Sequence, residues 1–431
     1  MSQWADMPFA DLLVETKDGE WGESTETVGH QLCEVIRGTD FAELHAANKV
    51  LPLRWIADNL VDRKRLQPGD ILLETAGGTA KQSTGRTALL GDKFFEQRLC
   101  PTLCSSFARH LRLDQRRCDP AFLYYLLQAL YAAGYMGVFN LQHTGISRFQ
   151  FTSFKNKTKL SMPPKTTQKK IAAILSAYDD LIANNQRRIA LLESMAEEIY
   201  REWFVRMRFP GHERVSRLKG IPSTWRIARL GEIFQTTSGG TPSRGKAENF
   251  DGEIPWVKTG ELKSLFVHET EERLTQRGID SSAARVLPRH TVVMAMYCAM
   301  PDVTLLGVPA ATNQACCALL PREGYLGHTY CYYFAKYALS QMIGFAHGAA
   351  QQNLSQEIIR KFQVLHPDPA LISLYSGRTS PLFGQAEALM RANSGLKRTR
   401  DALLPRLISG KLKVDHLDIQ LPPSMREQVT A

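Results

Sequence analysis

Apolar residues between 166 and 211 return every seven positions, at Leu175, Ile182, Ile189, Ala196 and Trp203. A second series, Ile171, Tyr178, Asn185, Leu192 and Ile199, runs beside it four residues earlier. This is heptad spacing, which predicts a long helix with one apolar seam, ended by Phe209-Pro210-Gly211. Near the other end, Leu382, Leu389, Leu396 and Leu403 repeat the interval, accompanied by Ala386, Asn393, Arg400 and Leu407. Each seam carries one Asn, Asn185 or Asn393. Either side chain can be buried to fix register or can lie at a wet edge. Pro405 is expected to kink the second helix or end its regular part. Elsewhere the period changes. "GDILLE" (69–74) and "HTVVMAMY" (290–297) have strand length with Gly or Pro nearby. "DPAFLYYLLQALYAAG" (119–134) has an Asp N-cap, Pro at the first position and Gly past the end, which predicts a short helix.

The chain also repeats itself. "VIRGTDF" (35–41) and "WVKTGEL" (256–262) read apolar, apolar, basic, small, small, acidic, apolar, at an offset of 221 residues. At the same offset Trp4 meets Trp225, "DLL" (11–13) meets "EIF" (232–234), "TKDG" (16–19) meets "TSGG" (237–240), Leu66 meets Leu287 and "ILL" (71–73) meets "VVM" (292–294). Later "FQF" (149–151) matches "FQV" (362–364) at 213, and "ALL" (190–192) matches "ALL" (402–404) at 212. A constant offset with matching residue classes marks a duplicated unit. The expected fold is α+β: two globular parts, each followed by a long helix, with the helices pairing as an antiparallel coiled coil about a pseudo-two-fold axis. The expected boundaries are 1–164 and 212–366 for the globular parts, 165–211 and 367–415 for the helical regions, and 416–431 for a tail.

The net charge of +10 favours an acidic or polyanionic partner. Residues 1–62 hold 4 basic and 12 acidic side chains, whereas 63–164 hold 15 and 6, so a polarised surface is expected on the first unit. The start, "MSQWADMPFADLL", has no basic segment followed by an apolar one, and the longest apolar stretch, "TVVMAMYCAMP" (291–301), is about half a membrane span. The 8 cysteines form no C-x-x-C pair, which suits reduced thiols in a cytoplasmic protein and no metal site.

Signatures of covalent chemistry are missing. "GGTAKQSTGRT" (77–87) has the wrong spacing for a phosphate loop and carries Arg86 where Lys is required. "DPAF" (119–122) lacks the second Pro of an adenine methyltransferase motif, and no Gly-rich cofactor loop precedes it. There is no G-x-S-x-G and no H-E-x-x-H, and His143 and His290 are solitary. Duplicated basic heads without a catalytic motif suit duplex DNA, whose half-sites lie roughly 34 Å apart for one helical turn, with the paired helices as a ruler.

"KDGEWG" (17–22), "GISRFQF" (145–151), "REWFVRMRFPG" (201–211), "GIPSTWRIARLGEI" (220–233), "GGTPSR" with "GEIPWVKTGEL" (239–262), and "RDALLPRLISGKL" (400–412) resemble, in order and over essentially the whole chain, the specificity subunit of type I restriction-modification systems. The resemblance implies a noncatalytic subunit that recognises a bipartite DNA sequence across a nonspecific spacer. It also implies docking of two adenine methyltransferase subunits on the helices and recruitment of an ATP-dependent translocating endonuclease subunit. S-adenosylmethionine and ATP would belong to those partners, and no cofactor to this chain. Gly377 and Pro381 depart from the pattern, interrupting the start of the second helix.

Polar and basic side chains in Gly-rich loops are the candidates for DNA contact. In the first unit these are Arg37, Lys81, Gln82, Ser83, Thr84, Arg86 and Arg148, and in the second Thr241, Ser243, Arg244, Lys258, Gln351, Gln352 and Asn353. Lys155, Lys157 and Lys159 alternate as a strand would and suit phosphate contact. Two other classes fit the pattern less fully: a coiled-coil scaffold whose heads bind protein, and a stand-alone DNA enzyme.

Overall fold

The computed structural model describes residues 4–44, 49–78, 82–96, 98–143, 146–297, 302–322, 326–347 and 354–422. The chain divides into two compact units, one made of Met1–Arg187 with Asn393–Ala431, the other of Arg188–Ala392. Both long helices cross this division, so each unit contains a stretch of each.

In the first unit four antiparallel strands lie in the order Leu13–Asp18, Ala108–Leu113, Ile71–Glu74, Thr87–Leu89. A second sheet sets His30–Ile36 between antiparallel Leu53–Ala57 and parallel Thr102–Cys104. Ala5–Pro8 pairs with Lys159–Met162. The second unit has the same order: Phe234–Ser238, Cys316–Pro321, Val292–Ala295, Val303–Leu306, extended by parallel Phe266–Val267. Its Phe250–Val257 lies between antiparallel Glu272–Leu274 and parallel Ala311–Thr312, and Arg226–Arg229 pairs with Gln363–His366. Ile71–Glu74 and Val292–Ala295 occupy the same place in their sheets at the offset of 221. Their side chains are buried throughout, as strands covered on both faces require.

Register also locates where the copies differ. Gly19 and Gly239 are the true counterparts, since a Cβ on either would lie 2.1 Å from the Cys104 carbonyl oxygen or 1.8 Å from that of Thr312. Only glycine allows the strand to pass so close to the parallel strand's end. The one-residue difference from the "TKDG"/"TSGG" alignment falls at an irregularity between Leu13 and Glu15, where a β-bulge adds a residue. The offset then falls to 208 for Cys104 and Thr312 and to 204 for Lys159 and Gln363, which pair with equivalent strands. The later matches at 213 and 212 are therefore overturned. Phe149-Gln150-Phe151 leaves a strand and enters the helix Phe151–Lys157, while Phe362-Gln363-Val364 enters the last strand. Three residues of apolar-polar-apolar alternation recur too often to fix a register.

Asp119 caps the helix Pro120–Ala132 by accepting from the Phe122 N–H at 3.0 Å, as its sequence predicts. The central helix runs Lys165–Tyr200 and tightens its end with a π-helical turn, Arg201–Val205. It thus stops before Phe209-Pro210-Gly211. Met207 takes φ 56°, outside the helical region, and Trp203, Phe204 and Phe209 turn into the second unit's core. The C-terminal helix runs unbroken from Pro369 to Ile408, so Gly377 and Pro381 do not interrupt it and Pro405 does not end it. Burial overrides propensity here: Ile372, Tyr375 and Phe383 flank those positions with at most 1% of their surface exposed. Gly410, at φ 70°, closes the helix and packs against the Trp4 ring, whose nearest atom would be 3.0 Å from a Cβ there.

Each unit's core takes in both helices. In the first, Ile171, Ala172 and Leu175 of the central helix and Leu407 and Ile408 of the C-terminal helix join Phe9, Leu73, Leu111 and Phe122. Val414, and Leu412 and Ile419 at the rim, belong to the same core, so the segment after the last helix also completes it. In the second, Ala196, Tyr200 and Trp203 meet Tyr375, Phe383 and Ala386 around Tyr330, Tyr333 and Leu339. Polar contacts follow the seam. Asn185 Nδ2 donates to Asn393 Oδ1 at 2.9 Å, and Asn393 Nδ2 donates to the Ile182 carbonyl at 3.3 Å. Arg400 pairs with Asp179, and Thr167 donates to Asp415 at 2.5 Å. Ile182 is buried; Ile189, Leu192, Leu389, Leu396 and Leu403 are half-buried.

Asn185 and Asn393 are 4% and 7% exposed, so each amide depends on the other. We expect either single change to Leu to lower the melting temperature by stranding the remaining amide, at about 1–3 kcal/mol. The double change Asn185→Leu/Asn393→Leu should recover that loss and exceed the parent, read as a double-mutant cycle by thermal unfolding.

Candidate nucleic-acid interface

The twin motifs fold alike. After the strand His30–Ile36, the Arg37 N–H donates to Asp40 Oδ2 at 2.9 Å, opening the 3-10 turn Gly38–Glu43. After Phe250–Val257, the Lys258 N–H donates to Glu261 Oε2 at 2.8 Å, opening Thr259–Glu261. The acidic residue three positions on is there to cap the turn. The basic side chains are themselves engaged. Arg37 forks onto Asp40 at 3.0 Å through both Nε and Nη2, and Lys258 reaches Glu271 at 2.7 Å and Glu272 at 2.9 Å. Burial pushes the Asp40 carboxyl up, but hydrogen bonds from Arg37 and Lys49 outweigh it and hold it below its ordinary value.

The loop cations behave similarly. Arg86 clamps Glu74 at 2.5 and 2.8 Å and donates to the Gly38 carbonyl at 3.2 Å. Glu74 is only 2% exposed, so Arg86 neutralises a buried charge at the base of the Gly-rich loop. Thr84 is fully buried and bonded to Asn140, the Ser83 carbonyl accepts from Tyr131 at 2.9 Å, and Gln82 is exposed. Lys81 lies outside the described residues. In the second unit Arg244 pairs with Glu272 at 2.6 Å and lies 5.1 Å from the Phe250 ring centroid and 5.4 Å from that of Trp256. Thr241 bonds Gln314, and the Ser243 carbonyl accepts from Asn249 at 3.1 Å. Gln351, Gln352 and Asn353 lie outside the described residues.

Part of the acidic first 62 residues is paired with the basic stretch after them: Glu15 with Arg112, Asp18 with Arg109, Glu20 with Lys64 and Glu34 with Arg98. The cations without a hydrogen bond or ion pair to described residues include Arg148, Lys155, Lys157 and Lys159. The three lysines do not alternate along a strand. Lys155 and Lys157 sit on the helix Phe151–Lys157 and Lys159 begins the next strand, because Phe151 and Phe154 fill the core at helical spacing.

Arg148, exposed, and its neighbour Phe149 belong to the strand Ile146–Phe149, which joins Asn140–His143 and Ala76–Gly78 in a three-stranded sheet. The second unit has no such sheet among its described residues. Beside it opens a cleft of about 650 Å³, lined by Asp18, Thr75, Arg109, Phe149, Gln150, Phe151, Thr152, Ser153, Asn156 and Lys157. Arg109, held by Asp18 and lying 4.5 Å from the centroid of Phe151, and the free Lys157 give it two cations, with amide and hydroxyl groups between them. Such a set can hold phosphate and offer donors to base edges. Arg109, Gln150, Thr152, Ser153 and Asn156 were not singled out from sequence; helix spacing after "GISRF" was the available signal. No group of three or more His, Cys, Asp or Glu is placed to hold a metal, and no helix is long and apolar enough to cross a membrane, among the described residues. Of the 8 cysteines, all but Cys298, which lies outside the described residues, are free thiols.

Two stretches, residues 57–194 and 222–369, match the type I restriction modification DNA specificity domain, and the chain belongs to that family, carrying the domain twice. It is 24% identical over 312 residues to the type I restriction enzyme MjaIX specificity subunit of Methanocaldococcus jannaschii, covering 69% of this chain and 70% of that one. Its identity to the HindI specificity subunit of Haemophilus influenzae is 20% over 365 residues, covering 68% and 77%. Its fold is similar to the crystal structure of a type I restriction-modification S subunit from M. genitalium, with a TM-score of 0.56 and 17% identity over 94% of this chain and 96% of that one.

Removing Arg86 should act on stability. Arg86→Ala strands the buried Glu74 carboxylate, and we expect a loss of about 3 kcal/mol in chemical denaturation. Lys157→Ala should instead leave stability unchanged and reduce the slope of log affinity for DNA against log salt by about 1. Unaltered salt dependence in the folded variant would remove Lys157 from the interface.

Proposed function

We propose that the chain is the noncatalytic DNA-recognition subunit of a type I restriction-modification complex, and that each unit reads one half of a bipartite site. Residues 1–164 and 212–366 are the readers. The two helices pair as an antiparallel coiled coil, with the readers about a pseudo-two-fold axis, and set the distance between half-sites. Helices of 36 and 40 residues are about 54 and 60 Å long, enough to span more than one turn of duplex. The observation that carries this reading is the duplication: two DNA specificity domains in one chain, with the same strand order but different loops. Different loops suit two different half-sites.

In the seam, contacts such as Thr167 with Asp415, Asp179 with Arg400 and Asn185 with Asn393 rise along one helix as they fall along the other, which supports the antiparallel pairing. Outward helix faces are then free to dock two DNA adenine methyltransferase subunits, and through them the endonuclease and translocase. S-adenosylmethionine and ATP act in those partners, in the cytoplasm, where host DNA lies. In the first unit, Arg148 reads bases while Lys155, Lys157 and Lys159 hold phosphate.

Mapping methylated adenines by single-molecule sequencing, in a host carrying this chain with its methyltransferase subunit, tests the proposal. The expected outcome is one bipartite motif with a spacer of fixed length, absent when the chain is absent. Methylation at a single uninterrupted motif, or methylation independent of the chain, would overturn it.

A further inference from the structure

One charged side chain of the C-terminal helix is buried. Glu387 is 7% exposed, within the second unit. Its carboxylate accepts from Arg289 Nη2 at 2.7 Å on both oxygens, from Arg391 Nη2 at 2.9 Å, and lies 3.1 Å from His268 Nε2. Burial raises the carboxyl's pKa, but the bonds from Arg289 and His268 lower it further, and the group stays charged. At the offset of 204 that aligns the two long helices, its equivalent is Ala183.

The partners come from separate strand ends of one sheet. His268 follows Phe266–Val267, and Arg289 leads into Val292–Ala295. Arg391 also donates to the carbonyl of Gly307, just past Val303–Leu306, at 3.4 Å. Gly307 has to be glycine, since a Cβ would come within 2.5 Å of the His268 ring. His290 holds the strained φ of 66°, its N–H donating to Leu306 at 2.7 Å and its ring stacked on His328 at 4.3 Å. Two strand ends thus meet on one helical carboxylate, and a third is tied to it through Arg391. The covering helix, His328–His347, reaches the long helices through Lys336 and Tyr337 to Glu197, Tyr333 to the Glu193 carbonyl and Thr329 to Thr379, but among the described residues the strand ends of the sheet itself form ion pairs with the long helices only at Glu387. A buried carboxylate with several charged donors fixes direction as well as distance.

We infer that Glu387 is a positioning residue that sets the angle of the second reader on its helix, and through it the length of spacer the protein accepts. This rests on the proposed bipartite reading. A shift of the reader by a few ångströms corresponds to about one base pair along the duplex, roughly 3.4 Å. Rigid linkage of two binding modules rewards only the matching separation.

The test uses the chain in complex with its methyltransferase subunits. Affinity is measured for duplexes carrying the mapped half-sites at the native spacing and at one base pair more or less. The parent should favour the native spacing by about tenfold or more, as rigid linkage requires. In Glu387→Gln and Arg289→Ala that preference should drop at least about threefold, with base preference inside each half-site unchanged. Arg289 and Arg391 are 45% and 52% exposed at their side chains, so Arg289→Ala and Arg391→Ala keep the question open to experiment if Glu387→Gln does not fold. Folded variants that retain the parent's spacing preference, or that lose base preference instead, would overturn the assignment. Absence of any bipartite preference in the parent would count against the proposed function, and so is told apart from failure of the clamp.

Discussion

Everything in this molecule depends on how the two long helices bury their seams. Neither seam is covered by one partner along its whole length. The first part of the central helix, from Ile171 to Asn185, meets the last part of the C-terminal helix inside one core, and the part from Ala196 to Trp203 meets Tyr375 to Ala386 inside the other. An isolated helix of this length is held weakly in water by its own hydrogen bonds, and tertiary burial is what secures it. Here that burial is divided between two cores, each containing both helices. Two prolines, Pro381 and Pro405, and the glycines Gly377, Gly384 and Gly395 survive inside the C-terminal helix because Tyr375, Phe383 and Leu407 anchor it at intervals.

This division explains which features the sequence disclosed. The heptads were legible because burial follows the 3.6-residue turn, and the twin segments at 35 and 256 because a strand, a basic residue and a capping acid repeat a complete local structure. The central strands were legible from continuous apolar runs. The end of the central helix was not, because the π-helical turn at Arg201–Val205 is imposed by where Trp203 and Phe204 find their pockets. The later register of the repeat was hidden for another reason: the offset falls from 221 to 208 and then to 204, where the remaining matches are only three residues long.

The candidate interface was legible in composition and illegible in detail. A loop arginine looks the same in sequence whether it faces solvent or a buried carboxylate. Arg86, Arg244, Arg37 and Lys258 all turn out to hold acidic partners distant by between 3 and 28 residues, and apart from Asp40, the capping acid of the repeated segment, those partners carry no signature of their own. What distinguishes Arg148 and Lys157 is the lack of such a partner among the described residues, a property of the folded surface alone. Charge counted along the chain hides the same kind of pairing, since Glu15, Asp18, Glu20 and Glu34 of the acidic stretch hold Arg112, Arg109, Lys64 and Arg98 of the basic one.

The packing of Leu412, Val414 and Ile419 into the first unit's core has a consequence for biosynthesis. The second unit is a single uninterrupted stretch, whereas the first includes residues 393 onward and must wait for them. On the ribosome, the half translated first is therefore the half that matures last. Its apolar face stays uncovered while about two hundred further residues emerge, so the growing polypeptide passes through a long interval in which chaperones have reason to hold it.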